Sequence, residues 1–382
     1  MSLKQRNIPI SLPATGDEEW EATKICFESG WLTQGDQVVS FQNEFSRLHG
    51  VKHSIATTSC TTGLHLALTT LGVGPGDEVI VPAFTWVSTA NVVLYCGATP
   101  VFVDVDKETY NIDIAQVKQK LSDKTKAIIP VHLFGRCVEM DALRRELPDS
   151  VAIIEDAACA VGASYKGRMA GSLGTAGVFS FHPRKIISTG EGGMLTTDDD
   201  SIADKVTRLR NHGCTLSEEQ RHLGPKPYLF PDFTLLGFNY RMTDIQGAVG
   251  LVQLKKLDGF IRERQHWAEY YHEELSSLEW LSLPAIPSTG QHGWQAFVCY
   301  VNPESASMSR TEIMEYLHNL GVSTRPGTHA IHMLGYYQER FNFKPEDFPA
   351  AKDCHHQTLA IPLHNRMQED DYAYIVSVLK SL

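Results

Sequence analysis

The length, composition and charge of the chain set the first limits on its function. It has 382 residues, of which 42% are hydrophobic, and its 34 basic and 45 acidic side chains give a net charge of −11. This length predicts one large and one smaller domain with a substantial core, and it excludes disorder as the overall state. The basic residues are scattered, so we expect neither a nucleic-acid nor a membrane-surface partner.

Hydropathy and cysteine usage predict a cytoplasmic protein. No apolar run approaches the roughly 20 residues that cross a bilayer, and residues 1–9 lack the apolar stretch of a signal peptide. The eight cysteines are widely spaced without a Cys-x-x-Cys pair, which predicts reduced thiols. The 16 histidines include no His-x-x-x-His helix motif, so we expect no metal site and disfavour a zinc hydrolase.

From about residue 50 the chain alternates between short β-branched runs and amphipathic stretches. The strands that this pattern predicts cover residues 54–57, 78–82, 100–105, 127–131, 151–155, 177–181 and 193–197. The helices that it predicts cover residues 62–71, 87–95, 113–121, 140–146 and 200–211. The alternation is typical of an α/β fold with a mostly parallel, seven-stranded sheet covered by helices on both faces.

The periodicity changes near residue 245, where we predict the boundary between a large domain, residues 1–245, and a smaller C-terminal α+β domain, residues 246–382. Residues 245–276 predict two helices separated by a loop around Asp258 and Gly259. A strand at 294–301 and helices at 310–320 and 369–379 follow.

Three segments carry candidate chemistry. Residues 57–63, TTSCTTG, place hydroxyls at the start of a helix, where they serve either as an N-cap or as a phosphate site. Asp156 ends an apolar strand at the sheet edge where ligands collect, so it is either a solvated strand end or the partner of a positive charge on a ligand. Lys185 lies between two predicted strands in the segment SFHPRKIISTGEGG, residues 180–193, and is a candidate for a Schiff base with an aldehyde cofactor.

The segment around Lys185 resembles the lysine segment of the DegT/DnrJ/EryC/StrS sugar aminotransferases. Further stretches in the order of that family are PAFTWVSTAN (82–91), GATPVFVD (97–104), PVHLFG (130–135), EDAA (155–158) and GFNYRMTD (237–244). The resemblance covers nearly the whole chain. It implies a fold type I enzyme that depends on pyridoxal 5′-phosphate (PLP), with active sites shared across a homodimer.

Carried over position by position, the resemblance implies that Lys185 forms the Schiff base and moves the proton, and that Asp156 pairs with the pyridine nitrogen. Trp86 is expected to stack on the ring. The residues expected to hold the phosphate are Thr61, Thr62 and Ser180, with Asn239 from the neighbouring subunit and Arg241 as a second candidate for that contact.

One position departs from the family pattern. Cys159 stands where many members place Gln or His near the phenolic oxygen of the cofactor, and a thiol is a weaker hydrogen-bond donor. Position 185 itself is Lys, whereas members that dehydrate sugars carry His there, so the dehydratase branch is disfavoured.

Four residues are candidates for substrate binding. Thr33 lies in WLTQG, residues 31–35, which resembles the loop that lines the sugar pocket of the family, and Glu191 lies in the turn close to Lys185. Arg325 and His329 resemble a C-terminal loop of perosamine-synthase-like members, together with His332. The alternative interpretation is a surface residue for Arg325, a packing residue for either histidine and a turn residue for Glu191.

The resemblance implies transfer of an amino group from glutamate to a keto or aldehydo sugar in bacterial cell-surface polysaccharide or lipopolysaccharide biosynthesis. A nucleotide-linked 4-keto-6-deoxyhexose is the favoured substrate. A carboxylated sugar such as an 8-oxo-octulosonate, glutamine as the donor, and a non-catalytic PLP-binding regulator are the alternatives. A dinucleotide site is disfavoured, because the glycines at 72–76 follow a helix and precede a strand.

Overall fold

All seven predicted strands are present in the central sheet: those at 78–82 and 193–197 keep their predicted ends, and the ends of the other five shift by at most three residues. The structure is a computed structural model that describes residues 6–216, 228 and 230–382. In spatial order the strands are β1 (His53–Thr57), β10 (Gly193–Thr197), β9 (Ala176–Ser180), β6 (Ala152–Asp156), β5 (Thr125–Ile128), β2 (Glu78–Pro82) and β4 (Thr99–Val103). Only β10 runs against the others, so the sheet is mostly parallel, as predicted.

Helices cover both faces of this sheet because successive side chains of its strands point to opposite faces. Val79 and Val81 of β2 belong to one buried apolar cluster, whereas Ile80 between them belongs to the other. The helices between the strands are α3 (Cys60–Thr70), α4 (Ser88–Tyr95), α5 (Ile114–Lys120), α6 (Met140–Glu146) and α7 (Asp200–Leu209).

Two N-terminal helices precede the first strand and were not part of the predicted alternation. They are α1 (Asp17–Ser29) and α2 (Asp36–His49). Helix α2 buries Phe41 and Phe45 completely, against Phe179 and Phe181 of the second cluster. The N-terminal segment is therefore part of the core of the large domain.

The prediction of two helices within residues 245–276 is wrong, because one helix, α8 (Asp244–Leu275), runs through the whole segment. A glycine inside a helix costs about 1 kcal/mol relative to alanine, and Gly259 is exposed. Burial outweighs that cost: Leu257 and Ile261 pack into the core of the large domain, and Tyr271 packs into the C-terminal core. The helix continues past residue 245, and the domain division there stays a prediction.

The C-terminal part is a three-stranded antiparallel sheet with helices. Its strands are β11 (Leu281–Ser282), β12 (Phe297–Val301) and β14 (Thr358–Ile361). Residues 294–296 were predicted within the strand but precede it, because Trp294 has a positive φ of 49°. The helices are α9 (Arg310–Asn319), α10 (Gly335–Phe341), α11 (Pro349–Gln357) and α12 (Glu369–Leu379).

Two short pairs of strands complete the fold. Strand β3 (Phe84–Thr85) pairs with β13 (His329–Ala330), which ties the C-terminal part to the large domain. Strands β7 (Ser164–Tyr165) and β8 (Arg168–Met169) form a hairpin. Across the described ranges 6–216, 228 and 230–382, no helix has both the length and the apolar content that spanning a membrane requires.

Candidate active site

The register of the sheet brings two of the three candidate segments, residues 57–63 and 180–193, to one edge. Thr57 of β1 lies opposite Gly193 of β10, and Gly193 lies opposite Ser180 of β9. Gly193 has no side chain, and a Cβ there would collide with the backbone of Ser59. The start of α3 can therefore lie directly against the ends of these strands, close to Ser180.

The first turn of α3 is suited to an anion. Ser59 is the N-cap: its Oγ accepts from the N–H of Thr62 at 3.2 Å, while the Thr62 Oγ1 accepts from the N–H of Ser59 at 3.0 Å. Within the described part of the chain, no acceptor caps the N–H groups of Cys60 and Thr61. A helix start with free N–H groups and hydroxyls favours a phosphate.

Asp156 ends β6 as a buried carboxylate with several donors. Its Oδ2 accepts from the Thr89 hydroxyl at 2.8 Å, and its Oδ1 accepts from the Ala158 N–H at 3.2 Å. Burial raises the pKa of Asp156, while the hydrogen bonds and the charge of Lys185 oppose that rise. A buried anion of this kind favours a cationic partner such as a protonated ring nitrogen.

Lys185 lies in the turn after β9, and its Nζ is 3.1 Å from the Sγ of Cys159. Burial alone would lower the pKa of Lys185, but the contact with Cys159 and the charge of Asp156 outweigh burial and raise it. The amine is thus held as an ammonium until it loses a proton, so binding an aldehyde requires proton transfer at this atom.

Two cysteines border the site, and only Cys159 was predicted from the sequence to lie there. Cys159 contacts the amine of Lys185, and Cys60 lies with its Sγ 3.8 Å from Asp156 Oδ1. Burial raises the pKa of Cys60 well above its usual value, so it is a neutral thiol that donates to the carboxylate. Its position inside the TTSCTTG segment was the available signal.

The two ring-bearing candidates, Trp86 and His329, meet at the β3–β13 pair. Their ring centroids are 5.6 Å apart, because His329 lies opposite Thr85, the residue before Trp86. Trp86 is 58% exposed, so much of its indole remains uncovered. A flat apolar surface of this kind is suited to stacking on a planar ring.

Asn239 and Arg241 lie on a segment that docks beside the start of α3. The carbonyl of Tyr240 between them accepts from the N–H of Thr58 at 3.1 Å. Arg241 donates to the side chain of Asn211 at 2.7 Å, whereas Asn239 is exposed. Neither is shown to contact a phosphate, and their predicted role across a dimer stays a prediction.

Thr33 and Glu191 lie beside the first turn of α8. The carbonyl of Thr33 accepts from the N–H of Asp244, and the carbonyl of Glu191 accepts from the amide of Gln246 at 2.7 Å. The Asp244 carboxylate also accepts from the N–H of Gly35 at 2.8 Å. The sequence predicted no separate role for Asp244 beyond its place in the segment GFNYRMTD, yet it fixes the loop that carries Thr33.

The remaining substrate-binding candidates from the C-terminal loop, Arg325 and His332, differ in exposure. Arg325 is exposed, and its main chain pairs with Ala360 of β14. This pairing fixes the backbone position from which the guanidinium extends. His332 is fully buried and packs on Phe348 with centroids 4.9 Å apart, so it is a packing residue. Arg325 therefore has the access that ligand binding requires, and His332 lacks it.

The donor set fits PLP. A helix start and hydroxyls suit its phosphate, a buried carboxylate suits its ring nitrogen, an amine suits its aldehyde, and an exposed indole suits its ring face. With the mostly parallel seven-stranded sheet, these groups define a fold type I PLP-dependent enzyme.

Comparison with known proteins places the chain within one family of this class. The chain belongs to the DegT/DnrJ/EryC1/StrS aminotransferase family, whose model matches residues 13–380. It is 39% identical to the GDP-perosamine synthase of Caulobacter vibrioides over 378 residues, 97% of each chain. It is 38% identical to the spore coat polysaccharide biosynthesis protein SpsC of Bacillus subtilis, covering 100% of this chain and 98% of that protein.

Solved structures support the same family assignment. A putative sugar aminotransferase from Streptococcus pneumoniae in its pyridoxamine form superposes with a TM-score of 0.91 at 27% identity, covering 98% of both chains, and its PLP form scores 0.90. The Helicobacter pylori aminotransferase PseC, of pseudoaminic acid biosynthesis, gives 0.89 at 27% identity, over 98% of this chain and 99% of that one. The chain is thus a PLP-dependent sugar aminotransferase.

Proposed function

We propose that the enzyme transfers the amino group of glutamate to a nucleotide-linked 4-keto-6-deoxyhexose for a cell-surface polysaccharide. The observation that carries the chemistry is the cluster in which Lys185 lies 3.1 Å from Cys159 and beside the buried Asp156. Support for the sugar is the 39% identity to a GDP-perosamine synthase over nearly the full length of both chains.

Each residue of the cluster has a distinct task in this proposal. When bound, PLP supplies an aldehyde that accepts amines and a ring that withdraws electrons. Lys185 would hold the aldehyde end of the cofactor, and its Nζ would give and take the proton that moves during amino transfer. Asp156 keeps the ring nitrogen protonated, and Trp86 covers a ring face and excludes water.

The phosphate is held by Thr61, Thr62 and Ser180 together with the N–H groups at the start of α3. Their shared position follows from the Thr57–Gly193–Ser180 row across three strands. A phosphate dianion there is stabilised by the positive end of the helix dipole. This group orients the cofactor and leaves the ring end to Asp156 and Lys185.

The sugar is bound by Thr33, Glu191, Arg325 and His329, which together we call the rim of the site. A guanidinium binds phosphate or carboxylate oxygens in a bidentate manner, so Arg325 suits the diphosphate of a nucleotide sugar. The same chemistry suits a carboxylated sugar, which is the alternative acceptor. An experiment in which the two acceptors compete for the enzyme shows which of them Arg325 recognises.

We propose further that the active enzyme is a homodimer in which Asn239 completes the phosphate site of the partner subunit. Large apolar side chains near that segment are exposed, Phe230 to 96% and Leu236 to 93%. On α1, Trp20 is 67% exposed. Exposed apolar groups of this size favour a covered interface.

The first experiment separates the two half-reactions. Protein loaded with PLP is mixed with excess glutamate, and the visible absorption should move into the ultraviolet as the amino group is retained. Adding a nucleotide-linked 4-keto-6-deoxyhexose should restore the visible band and yield the amino sugar by mass spectrometry. Restoration by an 8-oxo-octulosonate alone would select the carboxylated substrate, and no spectral change with either glutamate or glutamine would favour a non-catalytic regulator.

A mixing experiment tests the shared site. Lys185→Ala and Asn239→Ala proteins are each expected to be impaired, at limiting PLP for the second. Hybrid dimers contain one site with neither change, so a statistical mixture should recover about a quarter of wild-type activity. No recovery, although hybrids are detected by native mass spectrometry, would mean that Asn239 acts within its own subunit.

A further inference from the structure

The carboxylate of Asp156 is held by a threonine that is not among the predicted cofactor-binding residues. Thr89 lies in the first turn of α4, is fully buried, and places its Oγ1 2.8 Å from Asp156 Oδ2. The two residues are 67 positions apart in sequence. Its neighbour Thr85, only 1% exposed, places its own Oγ1 3.4 Å from the Thr89 Oγ1.

The direction of these hydrogen bonds follows from the charge of the acceptor. An ionised carboxylate only accepts, so the Thr89 hydroxyl donates its single proton to Asp156. The Thr89 oxygen is then the acceptor for the Thr85 hydroxyl. Hydrogen bonds in such a chain polarise one another, so the donor at Asp156 is stronger than an isolated hydroxyl.

We propose that Thr89, supported by Thr85, is a positioning residue that holds Asp156 ionised and fixed in rotation for the ring nitrogen of the cofactor. With the Ala158 N–H and the Cys60 thiol on Oδ1, the Thr89 hydroxyl on Oδ2 completes the set of donors that orient both oxygens. This inference rests on the proposed role of Asp156.

The titratable groups that face Asp156 define the background of this effect. They lie on three different segments of the chain: Cys60 on α3, His132 after β5 and Lys185 after β9, whose amine also contacts Cys159. Lys185 favours the ionised carboxylate through the charge of its ammonium. The hydrogen bond from Thr89 is neutral and does not depend on the protonation of Lys185.

The Thr85–Thr89 pair also reaches towards the rim. Thr85 belongs to β3 and lies opposite His329 of β13, with Trp86 as the next residue. The backbone that carries His329 thus fixes the outer member of the hydroxyl chain. The same strand pair positions a substrate candidate, a ring-stacking candidate and the support of Asp156.

The test compares Thr89→Val, which keeps the shape without the hydroxyl, with Thr89→Ser, which keeps the hydroxyl. Thr70→Val is the matched control, since Thr70 is a buried threonine whose hydroxyl has no partner among the described residues. Thr89→Val should slow the half-reaction with glutamate and weaken PLP binding by about tenfold each, as expected for a lost bond to a charged group. Thr89→Ser should restore most of both, and Thr70→Val should change neither.

A readout without cofactor is the pH dependence of apo-protein unfolding. Because the folded-state pKa of Asp156 is raised, the stability that it contributes is present at low pH and is lost as the pH rises through that pKa. Removing the Thr89 donor raises this pKa further. The melting temperature of Thr89→Val should therefore fall below that of wild type by more at neutral than at acidic pH. An equal deficit at both would mean a packing role only.

The double variant with Asp156→Asn separates this inference from the proposed function. If Thr89 acts through Asp156, adding Thr89→Val to Asp156→Asn should change the half-reaction rate little further. A full additional tenfold loss would overturn the inference. Should Asp156→Asn alone leave the rate unchanged, the proposed role of Asp156 fails instead. If Thr89→Val yields no folded protein, Thr85→Val should show the same effects at smaller size, and their absence would contradict the inference.

Discussion

The inner end of the site and its rim are built in different ways. At the inner end, Asp156 is buried and receives hydrogen bonds from Thr89 and Ala158. At the rim, Arg325 and Glu191 are exposed, and the hydrogen bonds that they make in the described part of the chain run through their main chain. The inner side chains are positioned by the fold before any ligand binds, whereas the rim side chains are free to adapt.

This difference indicates that the inner end determines the chemistry and that the rim determines the specificity for the sugar. A buried charge interacts strongly with its neighbours because water does not screen it, so small changes there alter the chemistry of both half-reactions. An exposed side chain contributes mainly when its ligand arrives, so changes at the rim should alter only the sugar half-reaction. Four substitutions test that division: two at the inner end, one at the rim and one beside Lys185.

Lys185→Ala should abolish turnover, because no other amine in the cluster binds the aldehyde and moves the proton. The visible absorption of the loaded protein should disappear, while the circular dichroism and melting profile of the apo form stay close to wild type. Measurable multiple turnovers in this variant would contradict the inner-site assignment. Lys166→Ala, at an exposed lysine paired with Asp141, is the control.

Asp156→Asn should slow the half-reaction with glutamate on the order of a hundredfold, because a neutral amide does not hold the ring nitrogen protonated. Stopped-flow absorption measures this rate directly. The second half-reaction should slow in parallel. A loss confined to one half-reaction would break the idea that the inner end serves both.

Arg325→Ala should raise the KM for the sugar by about tenfold through the loss of a charge-assisted contact. The rate with glutamate alone should stay at the wild-type value, since the rim does not take part in that step. Arg325→Lys keeps the charge and should recover part of the loss. An equal effect on the glutamate step would place Arg325 at the inner end.

Cys159→Ser should have the smallest effect, a few-fold change with a diagnostic pH shift. Cys159 contributes to the raised pKa of Lys185, so its removal lowers that pKa and leaves more neutral amine at a given pH. The apo protein should then capture PLP at a lower pH, as followed by the absorption rise. A shift to higher pH would mean that the thiol does not act on the amine.

The sequence determined the sheet and the main cofactor candidates. Each of the seven strands is a local apolar run, and Lys185 and Asp156 lie in segments that the sequence identifies without knowledge of the fold. It misled at Gly259, where burial of both halves of α8 outweighs a local helix-breaking preference. Local patterns therefore give element type reliably and element ends less so.

Tertiary structure alone decided which side chains meet. Thr89 reaches Asp156 across 67 positions, and Asp244 reaches Gly35 across 209. Neither pairing has a sequence pattern, because the order of strands and the docking of α2 on α8 set the distances between such residues. The sequence thus determined the elements and the reactive groups, whereas long-range packing decided the environment that positions them and shifts their pKa values.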